Sequence, residues 1–284
     1  MLIPKTFSIF AAASVFGAVS SFAQIKSPAP SPYSELKQVF GVTEFTVEYS
    51  RPGVKGREIY GELVPYGKIW RTGANAPTKI AFDSEVSFEG TTVPAGEYVL
   101  FTIPAEDEWT VIVYGDAKVG SVAGYDSKND VARVTVEPIE LSDAVENFTI
   151  GFDDLADESA TLFLDWDDVR VPVKVTVDTT ELTAASIQSA MSDIDSWSAR
   201  NYADAAEFYH KTGKNTELAL QWMEKAVSMS PNAFWWQYGY AKMLADHGQT
   251  QQAISVSEKS LKAAKAADNA AYIARNEALL AKIR

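Results

Sequence analysis

The stretch Tyr98–Tyr114, with the sequence YVLFTIPAEDEWTVIVY, decides the fold class of the first half of the chain. Two short runs rich in β-branched and aromatic residues, Tyr98–Ile103 and Trp109–Tyr114, flank a polar segment that contains Glu106-Asp107. Such residues favour extended strands, and a short polar segment between two such runs is typical of a turn. The stretch therefore predicts two short strands joined by a turn.

The same pattern extends outward from about Glu44 to Asp178. The other candidate strands are Phe45–Tyr49, Lys79–Phe82, Val86–Glu89, Ala132–Glu137, Asn147–Phe152, Thr161–Trp166 and Val169–Val177. A parallel sheet would require helical segments between its strands, and no helical pattern lies between these candidates. The sequence predicts a mainly β N-terminal domain, an antiparallel sandwich or barrel, over residues 24–179.

After Thr179 the spacing of apolar residues becomes helical. Ile187, Met191, Ile194 and Trp197 share one face of a predicted first helix, Leu182–Ser198. Further helix ends are indicated by Asn201 as an N-cap, Gly213 near a C-terminus, Ser230-Pro231 as a start and Gly248 as a stop, with Ala267–Ile283 as the last helix. We therefore predict an all-α domain over residues 180–284.

Small residues recur in this helical region at a fixed interval. Ala219 and Ala253 are 34 residues apart, as are Ala226 and Ser260. These positions predict helical hairpins with small residues where the helices cross. The stretch from Asn201 to Lys265 resembles two tetratricopeptide repeats, which implies a surface suited to docking a protein partner.

The N-terminus has the pattern of a cleavable signal peptide over residues 1–23. Lys5 is followed by an apolar run from Phe7 to Val19, and small residues at Ser21 and Ala23 precede a cut before Gln24. The chain has no cysteine, so the cut site offers no thiol for lipid attachment. No later apolar run is long enough to predict a membrane span. We expect a soluble periplasmic or secreted protein.

Composition argues against several classes of partner and chemistry. A net charge of −13 makes nucleic acid an unfavourable partner. The two histidines, His210 and His247, both fall in the helical region, so the β domain lacks imidazole for a catalytic triad or a His-rich metal site. With no phosphate-binding loop or dinucleotide motif either, we predict no metal and no cofactor, assign no catalytic residue, and favour a protein that is not an enzyme.

One segment, Tyr49–Asn75, combines features of a ligand site. It holds five basic and two acidic residues, a local excess of positive charge in an acidic chain. Arginine forks suit carboxylate, sulfate or phosphate groups, and aromatic rings suit sugars. The candidate ligand-binding residues are Tyr49, Arg51, Arg57, Trp70, Arg71 and Asn75.

A structural role for the same segment is the competing interpretation. Its arginines would then pair with carboxylates such as Glu48 or Glu58, Trp70 would belong to the core, and the glycines would only make turns. If Arg51, Arg57 and Arg71 are buried against carboxylates, the ligand site is excluded. The exposure and pairing of these side chains therefore decide between the two interpretations.

Several motifs, taken in order, resemble a known family. They are Ser27-Pro28, Ser31-Pro32, Tyr49-Ser50-Arg51-Pro52, Lys55-Gly56-Arg57, Tyr60-Gly61, Leu63-Val64-Pro65-Tyr66-Gly67, Trp70-Arg71-Thr72-Gly73-Ala74-Asn75, Pro94-Ala95-Gly96-Glu97-Tyr98, Ile103-Pro104, Trp109-Thr110-Val111-Ile112 and Glu146-Asn147-Phe148-Thr149-Ile150. From about Ser27 to Asp178 the chain resembles domain of unknown function 2911, found in exported proteins of Bacteroidota and relatives. Where members often carry Asn and then Trp-Gly, this chain has Tyr114-Gly115-Asp116 and Val119-Gly120. The resemblance implies a β-rich fold, often with a helical extension, and no particular activity.

Three functions remain open from the sequence. The first is an exported binding module whose β domain holds an anionic small molecule or glycan, while the helices dock a protein. The second is a hydrolase or lyase acting on an envelope polymer, for which a carboxylate near the basic segment would serve as acid or base. The third is a structural scaffold with no small ligand.

Overall fold

A computed structural model describes residues 27–284. The predicted signal peptide, residues 1–23, lies outside the described residues. The chain divides into two compact units, the first ending at Val177 and the second running from Asp178 to Arg284. Within the described range, no helix combines the length and apolar character needed to cross a membrane.

The first unit is built from antiparallel strands. Between residues 27 and 177 these are β1 Tyr33–Phe40, β2 Thr43–Ser50, β3 Thr78–Phe82, β4 Val86–Phe88, β5 Thr91–Val93, β6 Gly96–Ile103, β7 Trp109–Tyr114, β8 Asp130–Val136, β9 Ile139–Asp153 and β10 Ser159–Val177. They form one sheet in the order β1-β2-β3-β6-β7-β8 and a second in the order β5-β4-β10-β9. This arrangement confirms the predicted mainly β, antiparallel fold class.

The two sheets enclose one apolar core. Phe45 and Ile80 come from the first sheet, and Phe88 and Val173 come from the second; all four are fully buried in the same cluster. Alternating residues along each strand reach this core, as expected for two packed sheets. Since neither sheet closes on itself, the structure is a sandwich rather than a barrel.

Four strands of the two sheets differ from those predicted above. The edge strand β1 and the short β5 were not predicted, and β1 is half-exposed along most of its length. Strand β9 begins at Ile139, well before the predicted Asn147, because its first half is polar and exposed. The two strands predicted at Thr161–Trp166 and Val169–Val177 are one continuous strand, β10.

An irregularity in β10 explains why its sequence was interpreted as two strands. The pairing of β10 with β9 shifts on both sides of Asp167, whose φ of 55° is left-handed. Arg170 spans this bulge, donating from Nε and Nη2 to the two Asp165 oxygens at 2.8 and 2.7 Å, and from Nη1 to Asp153 on β9 at 2.9 Å. This bidentate pair fixes the strand on either side of Trp166.

The second unit consists of helices that pack as consecutive hairpins. Its helices are α1 Thr179–Ala190, α2 Ala199–Thr212, α3 Thr216–Met229, α4 Phe234–Asp246, α5 Thr250–Ala266 and α6 Ala270–Ile283. The main contacts are α2 with α3, α4 with α5, and α5 with α6. The small residues at the predicted crossing positions, Ala219, Ala226, Ala253 and Ser260, are all buried.

Several helix ends differ from their predicted positions. The predicted first helix is wrong beyond Ala190, where a 3₁₀ segment, Met191–Ser196, follows and contains a break at Asp193. Ser198, rather than Asn201, is the N-cap of α2, and Asn201 completes its capping box. Gly213 ends α2 in the left-handed region as expected.

The predicted helix start at Ser230-Pro231 is also wrong. Ser230 is instead the C-cap of α3, and α4 begins three residues beyond Pro231, at Phe234. The side chain of Gln237 in α4 reaches back and donates from Nε2 to the Pro231 carbonyl at 2.6 Å. The Ser-Pro pair thus lies in the connection between two helices rather than at the start of one.

The Arg170 pair should be worth far more than a surface ion pair. Replacing Arg170 with Met leaves the Asp165 side chain, 8% exposed, without its partner and should lower the free energy of unfolding by about 3 kcal/mol. The matched control is Arg200→Met, because the Arg200 and Asp204 side chains are 81% and 62% exposed and the expected loss is below about 1 kcal/mol. Urea unfolding followed by circular dichroism measures both, and equal losses would contradict the assignment.

Candidate functional site

The loop of residues 51–77 joins β2 to β3 and is bonded to both sheets. The Val54 amide donates to the Glu146 carbonyl on β9 at 2.7 Å. Trp70 and Thr102 exchange backbone hydrogen bonds of 2.7 and 3.0 Å at the end of β6. Because a loop this long must satisfy its amide and carbonyl groups, these bonds to the strands fix its path.

Three loop residues other than glycine have a left-handed backbone, and we call the segments around them the loop wall. Lys55, Thr72 and Asn75 have φ values of 51°, 56° and 60°, which are uncommon for residues other than glycine. Thr72 is completely buried, and its carbonyl accepts a hydrogen bond from the Thr78 hydroxyl. Such conformations persist only where the surrounding structure enforces them, so this wall is rigidly held.

Aromatic side chains form the floor beneath the loop. Trp70 from the loop is stacked on Trp166 from β10, with ring centroids 5.8 Å apart and an interplanar angle of 15°. Phe148 and Trp109 contact Trp70 edge-on at 5.2 and 6.4 Å. Tyr60 meets Trp109 and Trp166 in the same way. Through these contacts the loop packs against β7 of the first sheet and β10 of the second.

A cavity of about 390 Å³ opens above this floor. Its cationic lining consists of Lys55, Arg57 and Arg71, and its aromatic lining of Trp70 and Trp166. No Asp or Glu is among the lining residues within the described chain. The cavity is thus a positively charged recess in a protein of strongly negative net charge.

Four of the six predicted site residues line this cavity. They are Arg57, Trp70, Arg71 and Asn75. Asn75 also ties the rim together, since its Nδ2 donates to the Ser50 hydroxyl at 3.1 Å and its carbonyl accepts from Arg71. The structure therefore brings most of the predicted set to one place.

The other two predicted residues lie outside the cavity. The Tyr49 hydroxyl is buried and bonded to the backbone of Ile150, donating to its carbonyl at 3.2 Å and accepting from its amide at 3.1 Å. Arg51 donates from Nε to the Phe148 carbonyl at 2.9 Å and from Nη2 to the Thr149 hydroxyl at 2.6 Å. Tyr49 thus bonds the end of β2 to β9, and Arg51 bonds the start of the loop to β9.

The cations that line the cavity are bonded to carbonyl groups. Arg57 donates from Nε to the Val54 carbonyl at 3.0 Å, and Lys55 donates from Nζ to the Pro30 carbonyl at 3.1 Å. Arg71 donates from Nη1 to Asn75. Within residues 27–284 none of the three forms an ion pair with a carboxylate. Their positive charges are therefore held in place without being neutralised.

Trp166 is a lining residue that sequence reasoning did not select. It is 1% exposed, and in the described part of the chain its indole Nε1 has no hydrogen-bond acceptor. In the sequence it is one apolar position of a strand, and nothing local indicates that Trp70 stacks on it. Only the packing of the two sheets brings it beneath the loop, so no local signal could have found it.

Carboxylates stand beside the cavity rather than in it. Glu146 Oε1 accepts the Lys55 backbone amide at 3.1 Å. Partial burial, and then the charges of Asp168 and Glu146, raise the pKa of Asp167 above its ordinary value. Burial, followed by the charges of Asp167 and its neighbours, raises the pKa of Tyr60. Across residues 27–284 no group of three or more His, Cys, Asp or Glu side chains is arranged to hold a metal ion.

These features define a class: an antiparallel β-sandwich with a cationic, aromatic-floored cavity built by one long loop, followed by a helical unit. Residues 31–175 match the family described as "Protein of unknown function (DUF2911)", and the chain belongs to that family. This match confirms the family inferred from the motifs. No curated protein matches the sequence.

Gly73 is a position where the backbone around the loop leaves no room for a side chain. Its φ is 143°, and a Cβ there would lie 3.0 Å from the Ser50 carbonyl oxygen. Gly73→Ala should lower the free energy of unfolding by about 2–3 kcal/mol through strain and crowding. The matched control is Gly67→Ala in the same loop, where φ is 68° and the Cβ has open space, with an expected loss of about 1 kcal/mol.

Thermal and urea unfolding of the two glycine variants provide the measurement. A Gly73→Ala variant as stable as Gly67→Ala would mean that the loop can shift, and that its wall is not held as described. A larger loss at Gly73 supports a rigid wall.

Proposed function

We propose that this protein is an exported binding module whose β-sandwich holds a small anionic ligand in the cavity under the loop 51–77. One observation carries the proposal: Lys55, Arg57 and Arg71 line the cavity, and no described carboxylate pairs with them. Export is supported by the signal-like residues 1–23.

The electrostatics of the cavity favour an anion. Arg71 uses Nη1 for its bond to Asn75, so Nε and Nη2 lack an acceptor in the described chain and present one edge of the guanidinium group. That edge can donate two parallel hydrogen bonds to a carboxylate or phosphate. Each bond to a charged group contributes about 1.5–3 kcal/mol. The ligand therefore brings the negative charge that this recess lacks.

The size of the cavity sets the size of the ligand. Ligand pockets span about 300–1,000 Å³, and a volume of about 390 Å³ is near the lower end. It suits one small molecule or a terminal group of a glycan. Leu63 and Val64 add apolar surface to the lining, so the ligand also has an apolar face.

For the helical unit we propose that its stacked hairpins dock a protein partner. Repeated helical hairpins build extended surfaces of this kind. Trp235 and Met229 are 44% and 45% exposed, and large exposed side chains of these types are enriched in protein interfaces. This proposal is independent of the cavity in the β-sandwich.

A hydrolase acting on an envelope polymer is the second candidate function, favoured by one observation. The pKa of Asp167, which follows the lining residue Trp166, is raised above its ordinary value, as a general acid requires. Asp167 does not itself line the cavity within the described residues. Binding therefore remains the better supported function.

Substitution of the lining arginines tests the binding function. Arg71→Gln should weaken binding of an anionic probe such as citrate at least tenfold, because the charge-assisted hydrogen bonds from the guanidinium edge are lost. Lys68→Gln is the matched control, since Lys68 lies in the same loop but does not line the cavity. Isothermal titration calorimetry at low and high salt measures both, with weaker binding expected at high salt.

Two results would contradict this function. If citrate, phosphate and sulfate all fail to bind, the cations only secure the loop and the scaffold interpretation stands. If Arg71→Gln and Lys68→Gln weaken binding equally, the anion binds through diffuse surface charge rather than in the cavity.

The raised pKa of Asp167 makes a separate prediction about stability. The folded state binds this proton more tightly than the unfolded state does, so the charged carboxylate destabilises the fold above its folded pKa. Asp167→Asn should therefore raise Tm at pH 7, and the gain should disappear as the pH falls to 3. Asn also accepts the left-handed backbone at this position.

Differential scanning calorimetry across this pH range provides the measurement. The control is Asp107→Asn in an exposed turn, which should leave Tm nearly unchanged at both pH values. A lower Tm for Asp167→Asn at pH 7 would show that the carboxylate has a stabilising partner instead.

A further inference from the structure

Strand β1, Tyr33–Phe40, is an unpaired outer edge of the six-stranded sheet. It pairs with β2 along all eight of its residues without a bulge, and no strand of the described chain pairs with its other side. The edge strand β9 differs, because loop residues occupy its outer side; its Phe148 amide donates to the Pro52 carbonyl at 2.9 Å. A long unpaired edge is a template for a further strand.

Every second residue of β1 directs its backbone N–H and C=O groups away from β2. The Arg51 amide donates to the Pro32 carbonyl at 2.9 Å, which continues the register of β1 and β2 and shows that the even-numbered residues bond to β2. The outward groups therefore belong to Tyr33, Glu35, Lys37 and Val39. Within residues 27–284 the one hydrogen bond to these groups is from Gln38 Nε2 to the Val39 carbonyl, at 2.9 Å.

The side chains of the same four residues are exposed on the outer face of the sheet. Tyr33 and Val39 are 61% and 53% exposed. Glu35 lies opposite Glu48 of β2, an unfavourable pairing of like charges. In the described chain neither Glu35 nor Lys37 forms an ion pair. The edge therefore carries one unpaired charge of each sign between two exposed apolar side chains.

We infer that β1 pairs with the β1 strand of a second copy of this chain. An antiparallel pair with its two-fold axis at Leu36 places Glu35 of each copy opposite Lys37 of the other, and Tyr33 opposite Val39. This register joins outward-directed residues to outward-directed residues, as the hydrogen-bonded pairs of an antiparallel ladder require. The two six-stranded sheets then form one continuous sheet.

Charge selects this register over its neighbours. A shift of two residues in one direction places Glu35 opposite Glu35, and in the other direction it places Lys37 opposite Lys37. Like charges directly opposite each other destabilise a strand pair. A shift of one residue pairs outward-directed groups with groups already bonded to β2, so the ladder is lost. The strand is thus complementary to itself in one register.

The size of the contact determines how tightly the two copies associate. Aromatic with β-branched pairs and opposite charges both stabilise neighbouring strands, and here each occurs twice by symmetry. Since only one strand of each copy is in contact, the buried area is that of a small, transient interface. We therefore expect a dimer that dissociates on dilution.

Sedimentation velocity of the exported protein tests the association. Monomer should convert to dimer as the concentration rises from about 1 μM to about 1 mM, the range in which small interfaces dissociate. Glu35→Lys and Lys37→Glu should each raise the dimer Kd at least tenfold, because each places like charges opposite each other. Lys118→Glu is the matched control, with the same charge change in the exposed connection between β7 and β8.

Mixing the two single variants separates strand pairing from a general effect of charge. Copies carrying Glu35→Lys should pair with copies carrying Lys37→Glu, since every charge then meets its opposite, and the mixture should form a heterodimer. The double variant should form a homodimer again for the same reason. A loss caused by misfolding would be restored by neither combination, and circular dichroism checks the fold of each variant.

Hydrogen exchange on the unaltered protein tests the register without any substitution. The amides of Glu35 and Lys37 should exchange more slowly as the protein concentration rises, because they become hydrogen-bonded in the dimer. The Leu36 amide is directed towards β2 in both states, so its exchange should not depend on concentration. Nuclear magnetic resonance at two protein concentrations measures all three.

Three results would overturn the inference. A protein that stays monomeric up to about 1 mM has a β1 edge that its charges keep unpaired, or one that accepts a strand of a different protein. A dimer that Glu35→Lys and Lys37→Glu leave intact forms through another surface. Exchange at Glu35 and Lys37 that does not change with concentration also excludes pairing through β1. Anion binding in the cavity is unaffected by any of these results.

Discussion

The backbone of the loop 51–77 is the constraint on which the rest of the β-sandwich site depends. Its amides and carbonyls find partners in both sheets, at β9 through Val54 and at β6 through Trp70. With both attachments made, the loop has one path across the sandwich. On that path Trp70 stacks on Trp166, and Arg57 and Arg71 line the cavity.

The way the cations are held explains how a positive recess persists in an acidic protein. A carboxylate partner would orient an arginine but also cancel its charge. A backbone carbonyl orients the guanidinium group while leaving its full positive charge, as at Arg57 and Arg71. The local field is therefore set by chain geometry, and it stands out against a net charge of −13.

Much of this architecture could be predicted from the sequence, because strands with one buried face have a strong pattern. The strand Trp109–Tyr114 has its predicted bounds. The edge strand β1 and the first half of β9 were missed because they are largely polar and exposed, so no buried face marks them. The bulge at Asp167 makes β10 resemble the two strands predicted from the sequence, Thr161–Trp166 and Val169–Val177, since two adjacent aspartates are also common in turns.

The sequence was enough to locate the candidate site, but not to identify all the residues that line it. Charge and aromatic content identified the segment that supplies Arg57, Trp70, Arg71 and Asn75. Arg51 carries the same charge but is bonded to β9, and only long-range pairing distinguishes it. Trp166 lies far from the loop along the chain, and only the packing of the two sheets brings it against Trp70.

The aromatic floor of the cavity is buried, whereas the cationic side chains at its rim are exposed, and this difference determines which positions tolerate substitution. The floor is made of buried indoles and a backbone that tolerates no added atom at Gly73, so alterations there disturb the whole sandwich. The side chains of Lys55 and Arg57 are exposed at the rim and can be exchanged at little cost in stability. In the proposed anion site the charge is therefore set by rim side chains that lie apart from the folded core, and a few rim substitutions would change the charge that the cavity presents.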